Sequence, residues 1–120
     1  MLEYSRHRFD IVTDTGGDFV DTGPPISGHV VQTRYVPGTL SATTSLTLAA
    51  VDAGFTLLTI AALGAAAFNK IPKQVGLDTG GSAIGTDYFV LSNERLRLTV
   101  NQSATDTGGK TGTFYVWSVR

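Results

Sequence analysis

Asp-Thr-Gly occurs four times in this chain, at Asp14, Asp21, Asp78 and Asp106, and in three of the four a second glycine follows. The same tripeptide carries the paired carboxylates of aspartic proteases, where two aspartates share one proton because adjacent like charges cannot both ionise. A short chain holding one such motif would have to build that pair as a homodimer. The flanking residues argue against it. The protease motif needs two apolar residues before the aspartate and Ala or Ser after the glycine. Here Val12-Thr13, Gly76-Leu77 and Ala104-Thr105 precede Asp14, Asp78 and Asp106, and Gly17, Gly81 and Gly109 follow. Four copies fit turn chemistry instead: Asp and Thr side chains bond backbone amides two residues on, and glycine supplies a positive φ. The chain is read as not an enzyme, and no catalytic residue is assigned.

Other groupings carry less. Asp14, Asp18 and Asp21 lie within eight residues and could offer oxygens to calcium, but no EF-hand continuation follows, and a polar solvated loop is the expected reading. His7 and His29 have no second ligand at i+2 or i+4, so zinc is not supported. Gly108-Gly109-Lys110-Thr111 lacks the first glycine of a phosphate loop, and no Gly-Xaa-Ser-Xaa-Gly elbow is present. No metal and no cofactor is expected.

The elements that hold these residues are strands. In Arg95-Leu96-Arg97-Leu98-Thr99-Val100-Asn101, Leu96, Leu98 and Val100 share one face and Arg95, Arg97 and Thr99 the other. Thr44–Ala50 alternates likewise around Leu46 and Leu48, Tyr4–Thr13 places Phe9 and Ile11 together at an expected sheet edge, and Ile26–Val36 stops at Pro37-Gly38. Phe55–Ile60 and Thr113–Val119 are apolar on both faces, and Tyr88–Leu91 reads as a further short strand. In Thr113–Val119, Phe114 and Val116 oppose Tyr115, Trp117 and Val119. Gly16-Gly17, Pro24-Pro25, Pro37-Gly38, Gly80-Gly81 and Gly108-Gly109 punctuate the chain. Ala61–Asn69 is alanine-rich, but Gly64 and Pro72 leave room for little more than a turn, so a loop crossing between sheets is expected. The pattern predicts one all-β domain over residues 1–120: a compact β-sandwich or jelly-roll-like barrel of about 7–8 short strands, with residues 1–8 as a candidate extended N-terminal arm.

Composition narrows the partners. Nine Lys and Arg stand against ten Asp and Glu, so no basic excess points to direct nucleic-acid contact. The 16 % of charged residues is below the usual quarter, which fits a surface partly covered by partners. The longest uncharged apolar stretch, Ala53–Phe68, is short of the roughly 20 residues a membrane helix needs. Met1–Asp10 holds Glu3, Arg6, Arg8 and Asp10 and has no apolar run of a signal peptide. The 120 residues include no cysteine, so neither disulfide nor thiol chemistry is open to the chain.

Two stretches, Ile26-Ser27-Gly28-His29-Val30-Val31-Gln32-Thr33-Arg34-Tyr35-Val36-Pro37-Gly38 and Asn93–Gln102 continuing through Gly108–Val116, together cover about half the chain. They resemble small virion proteins of tailed bacteriophages encoded among the head genes, some of which decorate or cement the capsid. The resemblance implies a virion structural protein on the capsid exterior, made in the host cytoplasm. Its partners would be the major capsid protein and further copies of itself, commonly as a trimer around a three-fold axis, with no membrane contact. A neck, tail or fibre-base component and a carbohydrate-binding β-sandwich are the alternatives. Under the resemblance the interface candidates are Tyr115 and Trp117, Arg95 and Arg97 on a neighbouring polar face, and Tyr4, Arg6 and Arg8 of the arm. Trp117 fits an ordinary core position equally well.

Overall fold

Apolar alternation and glycine punctuation resolve into nine strands in the computed structural model, which describes residues 3–77, 80, 83–102 and 108–120. They are β1 (Tyr4–Val12), β2 (Asp18–Pro37), β3 (Ser45–Ala50), β4 (Phe55–Ile60), β5 (Phe68–Lys70), β6 (Lys73–Leu77), β7 (Ala83–Tyr88), β8 (Val90–Asn101) and β9 (Thr111–Val119). Seven form one continuous antiparallel sheet in the order β1-β9-β2-β8-β3-β4, with β5 also on β2, while β6 and β7 make a separate hairpin. The domain is all-β and sandwich-like, as the alternation predicts.

The long strand β2 makes the sandwich. Before His29 it pairs with β8, after it with β9 and β5, and His29 itself stands opposite both Val90 and Val119. One chain segment thereby belongs to two layers, β1-β9-β2-β5 and β2-β8-β3-β4. Pro24 and Pro25 have no N–H to give a ladder. The sequence pattern therefore predicts a break there. Instead, register shifts between Thr22 and Pro25 and between Ile26 and Gly28 take up the misfit, and a third follows between Val30 and Gln32. Bulges of this kind bend a strand and let it turn a corner between sheets.

The inward faces of the two layers meet in one core. Phe9, Ile11, Tyr35, Phe114 and Val116 come from the first layer, and Leu46, Leu48, Leu96, Leu98 and Val100 from the second. Each such side chain contributes about 1.5–3 kcal/mol by leaving water. Leu91 and Leu96 are both buried although their odd separation should put them on opposite faces. Ser92 and Asn93 lie exposed between them, with Asn93 at φ 52° and its N–H donated to Ser27 Oγ at 2.8 Å. That irregularity shifts the phase of β8 by one residue and turns Glu94 inward, where its carboxylate accepts the Ala53 N–H at 2.7 Å.

Several expectations are corrected in detail. Among the described residues the strands number nine, and β2 is long because its prolines fall at a bulge. Tyr88–Leu91 is no single strand: β7 ends at Tyr88, β8 begins at Val90, and between them the Phe89 carbonyl accepts the Val30 N–H. Of residues 1–8, set apart above as a candidate arm, the first two lie outside the described residues, and Tyr4 to Arg8 ladder onto β9 from Tyr4 opposite Val119 to Arg8 opposite Tyr115. Of the irregular crossing expected over Ala61–Asn69, residues 61–67 run from β4 in one layer to β5 in the other, whereas Phe68 and Asn69 already belong to strand β5.

Candidate interaction surface

The outward face of β1, β9, β2 and β5 gathers most of the residues singled out from sequence. Strand register sets two rows across it: Arg6, Trp117 and Gln32, and then Arg8, Tyr115, Arg34 and Asn69. Phe114 and Val116 take the alternate, buried positions of β9, which directs Tyr115 and Trp117 outward, each half-buried. Trp117 is thus no part of the apolar core. The Tyr115 and Trp117 rings lie 5.5 Å apart at 31°.

Two guanidinium groups cover Tyr115. Arg6 Cζ stands 5.1 Å and Arg8 Cζ 5.9 Å from its ring centroid. Such contacts contribute about 0.5–1 kcal/mol at exposed sites and draw the arginines toward the ring. Arg8 Nε also donates to Asp10 Oδ1 at 2.7 Å, and that hydrogen bond and charge raise the Arg8 pKa. Arg34 Nη1 donates to Asn69 Oδ1 at 3.0 Å. Three arginines therefore stand in these rows around an aromatic pair, with Asp10 in the next row, opposite Thr113. Tyr4, 71 % exposed, continues the outward face of β1 at its start.

Arg95 and Arg97 do not join this surface. They project from β8, on the outward side of the other layer. Asp52 clasps Arg95 with both carboxylate oxygens, at 2.7 Å to Nη2 and 3.2 Å to Nε, and the bonds hold the Asp52 carboxyl below its usual pKa. Arg97 Nε reaches Thr22 Oγ1 at 3.5 Å. The polar face predicted to neighbour the aromatics lies behind them, across the core. Arg34, Gln32 and Asn69 went unseen in the sequence. Alternation gives Arg34 its outward phase, but nothing local says that β2 lies beside β9.

The aspartates divide. Asp14 Oδ1 accepts the N–H groups of Gly16 at 2.9 Å and Asp18 at 3.0 Å, closing the turn between β1 and β2. Asp21 and Thr22 sit instead within β2, opposite Leu98 and Arg97. The turn expected at Asp21 is absent because the bulge before Pro25 lets the strand run on. Asp78 and Asp106 lie outside the described residues. Among those described, no three acidic, histidine or cysteine side chains gather as a metal site. His29 is exposed at the corner of β2, whereas His7 turns inward, edge-on to Phe9 at 4.5 Å. Beside the aromatic face a cleft of about 210 Å³ opens between the start of β1 and the bulge of β2, lined in part by Arg6, His7, Pro24, Pro25, Ile26 and Ser118.

No family model and no curated protein matches the chain. Among solved structures, the crystal structure of FLHE aligns over 97 % of this chain and 96 % of that one, at 13 % identity and a TM-score of 0.42. PliG of Aeromonas hydrophila, a periplasmic inhibitor of g-type lysozyme, aligns over 98 % of this chain and 86 % of its own, at 12 % identity and a TM-score of 0.34. The VP2 subviral particle of infectious bursal disease virus aligns over 98 % of this chain but 33 % of that one, at 14 % identity and a TM-score of 0.33. Likenesses this distant say nothing of function.

Proposed function

We propose that the chain is a structural protein of a tailed-phage virion that docks on the capsid shell through the outward face of β1, β9 and β2 and bridges neighbouring major capsid protein subunits. The observation that carries this reading is the Tyr115–Trp117 pair flanked by Arg6, Arg8 and Arg34. Aromatic side chains on a sheet supply large contact area at small entropic cost, and together with arginine they are the residue types that dominate binding energy. The sequence resemblance to phage head proteins supplies the capsid as partner. Many copies, each held by a modest contact, would brace a shell by multivalency.

Addition of the purified protein to empty expanded capsids tests the proposal. Saturable binding at a fixed ratio to the major capsid protein supports it. Incorporation confined to one vertex would move the chain to the neck or tail, and failure to bind any virion part would remove it from the particle. The same aromatic pair also favours a second reading, because adjacent ring faces can stack on a sugar. Saturable shifts of the Trp117 indole with oligosaccharides, in place of capsid binding, would select it.

A further inference from the structure

Strand β4 closes the strand order with β3 on one side only. Residues 55–60 make no backbone hydrogen bond outside that ladder among the described residues, so one edge of β4 presents free N–H and C=O groups. Proteins guard such edges with charges, proline or bulges that twist the edge away, and of these β4 has only a bulge. The opposite terminal strand β1 carries Arg6, Arg8 and Asp10. By contrast, β4 reads Phe-Thr-Leu-Leu-Thr-Ile, and no charged residue occurs between Asp52 and Lys70.

We infer that β4 is the pairing edge for a second copy of this chain, joined antiparallel about a two-fold axis. The bulge in β4 supplies the argument. Leu48 stands opposite Leu58 and Ala49 opposite Thr56, so Leu57 is the extra residue. Leu57 is buried and Leu58 packs on the core beside it, as do Phe55 and Ile60. Thr56 and Thr59 both face outward, three residues apart. A regular strand would put residues with that spacing on opposite faces. With the phase slipped, an antiparallel copy can be placed with Phe55 opposite Ile60, Thr56 opposite Thr59 and the two leucine pairs face to face. Every side chain then meets one on the same face. Aromatic–β-branched and Thr–Thr pairs are favourable cross-strand neighbours, and a two-fold contact makes each of them twice. The inference is independent of the virion reading: a two-fold pair is distinct from the three-fold ring that the phage resemblance implies.

Sedimentation of the wild-type chain up to about 1 mM tests it, with two double variants. Thr56→Lys with Thr59→Lys sets like charges opposite each other twice, and Thr56→Lys with Thr59→Glu sets opposite charges there. Both positions are exposed, and circular dichroism confirms the fold of each variant. The expected result is a wild-type dimer, weakened about tenfold or more by the Lys/Lys variant and held within about threefold by the Lys/Glu variant. A wild-type monomer or trimer overturns the inference, as does equal weakening by both variants, which would place the contact in another register or on another surface.

Discussion

His7 occupies the space left by the missing side chain of Gly23: a β-carbon there would stand 2.6 Å from the imidazole Nε2 and 3.0 Å from Cε1. This contact seats β1 against the first half of β2, across the edge that neither ladder covers, and brings His7 within electrostatic reach of Asp21. Gly23→Ala is expected to destabilise the fold by about 1–3 kcal/mol, because the ring must leave its place on Phe9. His7→Ala combined with Gly23→Ala should cost less than the two single changes added together. Urea unfolding of the four proteins measures this, and strict additivity would show that the ring yields freely.

The same histidine sets a pH dependence. Burial lowers the His7 pKa from its ordinary 6.5, with the Asp21 carboxylate opposing the shift. Above about pH 6.5 the ring is neutral in both folded and unfolded chains and adds no slope. As the pH falls below that value, the unfolded chain takes up a proton that the folded chain resists, and stability drops. Urea midpoints between about pH 7.5 and pH 5.5 should therefore fall more steeply for the wild type than for His7→Gln. Identical slopes would assign the dependence to other groups.

Gly28 marks the corner where β2 changes layers. Its φ is +113°, and a β-carbon would drive into the Val119 carbonyl of β9. Gly28→Ala is expected to cost more than about 2 kcal/mol, since both the backbone region and the close approach exclude a side chain. A thermal midpoint unchanged from the wild type would mean that the corner is free to reshape.

Docking through the aromatic face predicts an asymmetric mutational map. Tyr115→Ala or Trp117→Ala should weaken capsid retention about tenfold or more, and Arg6→Ala with Arg8→Ala should both weaken it and reduce its salt sensitivity. Arg97→Ala, on the other outward face, should leave retention unchanged. Co-sedimentation with capsids reads all of these, and loss in Arg97→Ala equal to that in Tyr115→Ala would move the contact to the β8 side.

Local pattern and tertiary arrangement contributed different parts of this molecule. Alternation in Arg95–Asn101 was sufficient to assign strand, inward face and outward face residue by residue, because side chains on a pleated strand have a period of two whatever lies beside it; in Thr113–Val119 it separated Phe114 and Val116 from Tyr115 and Trp117 but left open which set faces the core. Glycine and aspartate likewise marked the turn at Asp14 without help from distant residues. Pro24-Pro25 misled, since a ladder partner that tolerates a bulge cannot be read from the prolines themselves. The aromatic and arginine candidates were separable only in three dimensions. Tyr115, Trp117, Arg6 and Arg8 meet because β1 lies beside β9. Arg95 and Arg97 stand on the other layer because β2 turns a corner at Gly28 and carries β8 away. Strand neighbours are chosen by long-range packing of the core, whose contacts join residues as distant in sequence as Phe9 and Phe114, and no local period encodes that choice.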